Sequence, residues 1–193
     1  RDVKTEALYA VRGKVKNLMK HPLDECLENQ EVSDIILALG CGIQDKYNSK
    51  KLNYGKVAIA TDADVDGYAI MCLIATMFYV LMPKFIEEGR LCWLRAPLYR
   101  LSKGTKRVFA YDDAELAELK KKYPDWEQGR NKGLGEMTSE DMRASMMHKT
   151  DRHLEVLTIG DAEEAAESLK MLMGPEVDDR RDFLFEDVDF SII

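Results

Sequence analysis

The run Lys56-Val-Ala-Ile-Ala-Thr-Asp-Ala-Asp-Val-Asp-Gly67 limits the fold more than any other stretch of this chain. Val57 to Ala60 is an apolar tetrad of strand length, and Asp62, Asp64 and Asp66 follow at alternate positions. Gly67 then lets the backbone turn tightly into an apolar helix. Carboxylates crowded at a strand end repel one another unless a cation neutralises them. Hard oxygen donors suit Mg²⁺, Mn²⁺ or Ca²⁺ better than zinc. The segment therefore reads as a strand–turn–helix corner carrying a divalent-metal site for phosphate chemistry.

Beyond Gly67, the residues Ile70, Leu73, Ile74, Met77, Phe78 and Leu81 recur on one helical face, which ends near Pro83. Leu91–Leu94 reads as a second strand, reached through a helical Phe85–Glu88 turn and Gly89. A helix between two strands makes a βαβ unit, and hence a parallel sheet. Upstream, Val32, Ile35, Ile36 and Leu39 have helical spacing, with Gly40 as the stop, and 44–54 is a polar loop. Downstream, Leu98–Leu101 and Arg107–Tyr111 flank Ser-Lys-Gly-Thr-Lys as a hairpin would. Asp113 is expected to cap a helix to about Lys122, closed by Pro124, and Gly129–Glu136 to be loop. Thr138-Ser-Glu-Asp141 and Asp161-Ala-Glu-Glu164 fit helix starts, the second helix ending at Gly174-Pro175. The fold class is α/β with a helical C-terminal part.

At 193 residues the chain is long enough for one good core with a small appendage. No apolar run reaches the roughly 20 residues of a membrane span, and the N-terminus has no signal-peptide pattern. The first residue is not Met, as expected of a fragment or a processed chain. Cys26, Cys41, Cys72 and Cys92 form no C-x-x-C pair, which argues for reduced cytosolic thiols over structural zinc. The net charge of −7 argues against general nucleic-acid affinity, but it is unevenly spread. Residues 1–22 carry six Lys/Arg against Asp2 and Glu6, whereas residues 151–193 carry thirteen Asp/Glu against four Lys/Arg. A basic front can grip phosphates despite an acidic tail.

The D-x-D-x-D-G spacing admits several readings. A calcium EF-hand loop needs Glu at its twelfth position, and counting from Asp62 that position is Leu73. A haloacid-dehalogenase-type phosphatase would use Asp62 of Asp62-Ala-Asp64-Val65 as a nucleophile. A metal-assisted phosphoryl-transfer centre would use the carboxylates as ligands. An N-capping aspartate cluster, in a docking or DNA-binding module, would use them structurally.

Further motifs occur in a fixed order around this one. They are Val11-Arg-Gly-Lys-Val-Lys-Asn17, Ala38-Leu-Gly-Cys-Gly-Ile43, Pro97-Leu-Tyr99, Asn131-Lys-Gly-Leu-Gly-Glu-Met137, and Leu172-Met-Gly174 before Arg180-Arg181. With Asp62–Gly67 they resemble the Toprim region and C-terminal tail of the B subunit of bacterial type IIA topoisomerases, DNA gyrase and topoisomerase IV. The resemblance covers essentially the whole chain. It implies a Toprim-type parallel sheet flanked by helices, with a hairpin and a helical tail. It places a metal- and DNA-binding core at 1–111 and a tail with the glycine-rich loop at 112–193.

In function, the resemblance implies Mg²⁺-dependent DNA cleavage and religation, serving supercoiling or decatenation, with one or two Mg²⁺ bound. The nucleophilic tyrosine belongs to the A subunit (gyrase A or topoisomerase IV A) of an A₂B₂ assembly acting on double-stranded DNA. ATP is used elsewhere in the full-length subunit, and the setting is cytoplasmic and nucleoid-associated. By motif match, Asp62 and Asp64 are catalytic metal ligands and Asp66 an auxiliary one. Lys132 is the catalytic charge near the scissile phosphate. Arg12, Lys14, Asn17, Lys132 and Gly133 lie along DNA, and Glu136 holds its loop. The family also uses a Glu in an E-G-D-S motif about a dozen residues upstream of Arg1, so this stretch alone is expected not to cleave DNA. Departures fall at Tyr68-Ala69-Ile70-Met71, at Asn131 in place of Tyr, and at Ala10 in place of Pro, marking a divergent member. The acidic tail reads first as solvated helix faces, and by resemblance as a surface toward the A subunit.

Overall fold

The computed structural model describes residues 1–131, 133–160 and 162–186. Two compact units are present, one of residues 1–12, 55–72 and 89–157, the other of 13–54, 73–88 and 158–193.

The first unit contains the acidic corner. Strand β1 (Val57–Ala60) runs parallel to β2 (Leu91–Leu94), with Val57 opposite Leu91 and Ala60 opposite Leu94. The helix between them, α3 (Val65–Leu81), belongs to this unit as far as Cys72 and to the second from Leu73. The βαβ reading is borne out because apolar periodicity and a helix-length spacing both demanded it. A short strand, β6 (Leu154–Val156), adds to the other edge of β2 in antiparallel sense, which no residue pattern announced. Three residues are too few for an alternation to register against noise.

A second sheet in this unit has β3 (Tyr99–Lys103) at its centre, between β4 (Lys106–Ala110) and β5 (Glu127–Arg130). β3 and β4 form the expected hairpin, with Gly104 in the left-handed region at φ 62°. β5 pairs antiparallel with β3, so Gly129 and Arg130 are strand where the glycine content suggests loop. The physical reason is that ladder bonds come from the backbone, and an edge strand needs no apolar alternation when one face is wet. Leu101, Ala110 and Leu116 are buried together, with Tyr99, Val108, Leu119, Tyr123 and Trp126 packed around them. Leu116 and Leu119 come from α5 (Asp113–Lys122), whose cap is Asp112 rather than Asp113. Asp112 has extended backbone and its Oδ1 accepts from Glu115 N at 2.8 Å, whereas Asp113 is already helical. α6 (Ser139–Met142) begins as expected at Thr138, whose Oγ1 accepts from Asp141 N, and continues as a π-helical turn through Met147.

The N-terminal residues are tied to this unit by charge. Asp2 Oδ2 lies 3.2 Å from Lys149 Nζ, and Glu6 Oε1 lies 3.0 Å from Arg152 Nη1. Bonding from the Lys4 amide, then from Thr5 and Lys149, holds the Asp2 carboxyl below the usual carboxylate range. Glu6 is lowered first by the Asp2 amide and then by Arg152. Groups with depressed folded pKa contribute stability that is complete above the unfolded value and is lost as pH falls through the folded one. Residues 1–6 are therefore expected to stay docked at neutral pH and to detach only below the ordinary Asp and Glu range. Carboxyl titration by NMR checks this, and Arg152→Ala should move the Glu6 midpoint upward.

The second unit is helical. α1 (Leu23–Leu27) and α2 (Gln30–Leu39) precede two 3-10 turns, and α2 stops at Gly40 with φ 69°. From α3, Ile74, Met77, Phe78 and Leu81 are buried, as are Phe85 and Ile86 of α4 (Pro83–Glu87). Phe78 and Phe85 rings lie 5.1 Å apart. α7 (Ala162–Met173) ends at Gly174, and α8 (Asp178–Glu186) follows, with Arg180 Nη1 donating to Gly174 O at 2.7 Å. The start that Asp161 was expected to provide lies outside the described residues. Among the described residues, no helix is long and apolar enough to cross a membrane.

Candidate metal centre

The corner between β1 and α3 is built by tight backbone packing. Thr61 is buried, and its Oγ1 is enclosed without a hydrogen-bond partner. Asp62 follows, half-buried, and its Oδ1 accepts the Leu134 amide at 2.7 Å. Gly133 lies beside the same carboxylate: a Cβ there would stand 3.0 Å from Asp62 Oδ2 and 3.2 Å from Cγ. The glycine-rich segment thus closes directly on the first aspartate, 72 residues away in sequence. Gly67 seals the other side, since a Cβ on it would sit 2.0 Å from the Asp62 carbonyl oxygen.

Asp64 is exposed, and its Oδ1 accepts the Gly67 amide at 2.7 Å. This is the geometry of an N-cap on α3, so the capping reading is realised at this one residue. Asp66 is exposed in the first turn of α3, where the helix dipole favours an anion. Among the described residues, no group of three or more His, Cys, Asp or Glu converges closely enough to hold a metal ion. A complete three-carboxylate cage is therefore not formed by Asp62, Asp64 and Asp66.

Mg²⁺ does not require such a cage. It dehydrates reluctantly and is commonly held by one or two carboxylates, several waters and substrate phosphates. Asp62 and Asp64 each commit Oδ1 to a backbone amide and are hard donors on one turn, so the donor chemistry fits that mode. Beside Asp64 is an open cavity of about 230 Å³, lined also by Ala63, Leu98, Arg130 and Asn131. Arg130 stands over the Tyr99 ring at 5.9 Å. Asn131 is bonded to the strand before it, its amide to Leu98 O and its Nδ2 to Pro97 O, each at 2.9 Å.

The remaining expected residues divide. Lys132 lies outside the described residues. Arg12 and Lys14 are exposed around Gly13, whose φ of 120° belongs to glycine. Asn17 has its polar atoms engaged inside the second unit, Nδ2 donating to Met173 O at 2.8 Å and Oδ1 accepting from Met19 N at 2.9 Å. That arrangement makes Asn17 a brace between the basic segment and the end of α7. Glu136 is exposed, in a 3-10 turn whose amide bonds to Gly133 O.

Sequence reasoning missed one cluster. Asp141, with its side chain only 2% exposed, meets Arg100 Nη1 at 2.7 Å and Arg107 Nε at 3.0 Å. Arg107 Nη2 also reaches Glu140 Oε2 at 2.7 Å. The only available signal was an aspartate at the third helical position, which reads as ordinary cap chemistry.

Comparison with known proteins gives two family matches. The family model described as "Toprim domain" matches residues 1–92, and "DNA gyrase B subunit, carboxyl terminus" matches residues 124–185. The DNA gyrase B subunit of Thermotoga maritima is 42% identical over 186 residues, covering 95% of this chain and 29% of that protein. Its counterpart from Staphylococcus aureus, also a DNA gyrase B subunit, is 40% identical over 187 residues, with the same coverage. The chain thus spans under a third of the length of these curated relatives.

Proposed function

The chain belongs to the Toprim and DNA gyrase B carboxyl-terminal families, and from that premise we propose that it serves metal-dependent DNA cleavage and religation in a type IIA topoisomerase. In this reading residues 1–111 supply the carboxylates and the basic segment, and residues 112–193 the glycine-rich loop and tail. Asp62 and Asp64 hold Mg²⁺, and Asp66 contributes through its exposed carboxylate on the first turn of α3. A bound divalent cation supplies charge neutralisation at a phosphate and at a departing sugar oxygen. The attacking tyrosine comes from the A subunit of an A₂B₂ assembly, and ATP is hydrolysed elsewhere in the longer subunit.

The chain's own contribution is orientation and charge. The Leu134 amide fixes the Asp62 carboxylate through Oδ1, and the carboxylate would hold the cation. The Gly67 amide does the same for Asp64. Arg12 and Lys14 neutralise phosphates without reading bases, and Asn17 braces their segment from behind. Lys132, which precedes Gly133 in sequence, supplies the catalytic positive charge for the scissile phosphate in this reading. The observation that carries this reading is the 2.7 Å bond joining Asp62 to the glycine-rich loop. A structural aspartate cluster has no need of a glycine-rich loop closed upon it.

The test is Mn²⁺ binding to this chain, followed by electron paramagnetic resonance. Specific binding that is lost in Asp62→Asn and competed by Mg²⁺ is the expected result. Binding unchanged by Asp62→Asn would overturn the ligand assignment.

A further inference from the structure

The segment that closes on Asp62 is clamped at both of its ends, and both clamps lead to β3. On the N-terminal side, β5 pairs with β3 up to Arg130 opposite Tyr99, and Asn131 continues with its bonds to Leu98 and Pro97. On the C-terminal side, Thr138 caps α6, and within that helix the buried Asp141 grips Arg100 of β3 and Arg107 of β4. Between the clamps lie Gly133 and Leu134, which touch the Asp62 carboxylate.

The clamps differ in kind. Strand pairing at β5 is made by backbone and tolerates side-chain change. The α6 end depends on one buried carboxylate: Oδ2 accepts from Arg100 Nη1 at 2.7 Å, whereas Oδ1 has the 3.0 Å ion-pair contact with Arg107 Nε and, like Arg100 Nε, no hydrogen-bond partner. Asp141 is the buried member, so removing either arginine leaves its carboxylate poorly compensated. Gly129 belongs to the same arrangement, because a Cβ on it would come 3.4 Å from Arg100 Nη2.

We propose that Asp141, through Arg100 and Arg107, is a positioning residue for the acidic corner: it sets where the Leu134 amide stands and so how the Asp62 carboxylate is aimed. Its consequence for metal binding rests on the functional reading above, whereas its effect on the Leu134 amide does not. Groups that orient a ligand from behind typically change metal affinity by roughly 10- to 100-fold when removed.

The experiment follows two readouts on this chain, amide hydrogen exchange by NMR and Mn²⁺ affinity by electron paramagnetic resonance. The variants are Asp141→Asn, Arg100→Lys and Arg107→Lys. The lysine variants keep the positive charge but lose the guanidinium that reaches Asp141, so they serve if Asp141→Asn does not fold. Leu134 is expected to exchange about tenfold faster or more in these variants. Leu101 and Val108 in the hairpin should keep their protection, and Mn²⁺ affinity should fall within the range just given. Asp141→Glu should restore part of both. Leu134 exchange that is unchanged, or that rises only in step with every other amide, would overturn the proposal. If Leu134 responds but the wild type binds no Mn²⁺, positioning stands and the metal reading fails. If Mn²⁺ binds and neither readout responds, the reverse holds.

Discussion

Replacing Asp62 by asparagine in an assembled enzyme is expected to lower DNA cleavage by roughly 10²- to 10³-fold, the usual effect of removing one electrostatic contributor to a charged transition state. Asparagine is the informative substitution because it keeps an oxygen for the Leu134 amide and removes only the charge. The variant should therefore melt within about 1 kcal/mol of wild type, the scale of a single hydrogen bond. Asp62→Ala loses that bond as well and should be slightly less stable, with no further loss of cleavage. Asp64 behaves differently, since its Oδ1 caps α3. Asp64→Ala should cost about 1 kcal/mol of stability for the cap alone, in addition to any loss of activity. Cleavage by Asp62→Asn within a few-fold of wild type would remove this residue from the chemistry.

Gly67→Ala is expected to be the most damaging single-methyl change in the chain. The glycine is not in the left-handed region, so the requirement is space and not backbone angle. A Cβ would lie 2.0 Å from Asp62 O and 2.8 Å from Asp62 C, and both obstacles are backbone that cannot rotate away. Overpacking against fixed atoms costs about 3 kcal/mol or more. For a domain of this size that corresponds to a fall in melting temperature of about 6–12 °C. The helix start must retreat from the strand end, which moves the Asp62 carbonyl and with it the carboxylate. Melting and Mn²⁺ titration on the same sample check both effects. Gly135, with open space around its Cβ position, is the contrasting control, and Gly135→Ala should be nearly silent in stability.

The parts of the fold that were legible are those written in local, redundant signals. Val57–Ala60, Gly67 and the apolar face through Leu81 specify strand, turn and helix independently, and their agreement left little freedom. Thr138 and Gly40 carry helix boundaries by local chemistry that needs no distant partner. Other features were not legible because their cause lies far along the chain. β5 exists because β3 has an edge to be paired, and nothing in Glu127–Arg130 itself encodes that. Asp112 and Asp113 are chemically alike, and only the extended backbone at Asp112 makes it the cap. Asp141 looked like a helix-start residue, yet its carboxylate answers two arginines on the hairpin.

At the site, the motif pattern located Asp62, Asp64 and the glycine-rich loop but not the bonds among them. By motif Asn17 lies along DNA, and what the motif did not show is that its side chain bonds Met173 O and Met19 N. An asparagine beside basic residues looks the same in sequence whether it faces a phosphate or a carbonyl. The aspartate spacing likewise placed Asp62, Asp64 and Asp66 at one corner but did not show that Asp62 is tied to the Leu134 amide and Asp64 to the Gly67 amide. Periodicity rules hold within an element and lapse at its ends.

Action of the Asp62 corner through a divalent cation on DNA can be read from linearisation of plasmid DNA by the full-length subunit with its A partner, titrated with Mg²⁺ after EDTA treatment. The expected result is no double-strand breaks in EDTA, breaks restored by Mg²⁺, and no restoration in Asp62→Asn at any Mg²⁺ concentration that rescues wild type. Breaks that persist in EDTA, or an identical Mg²⁺ dependence in Asp62→Asn, would contradict it.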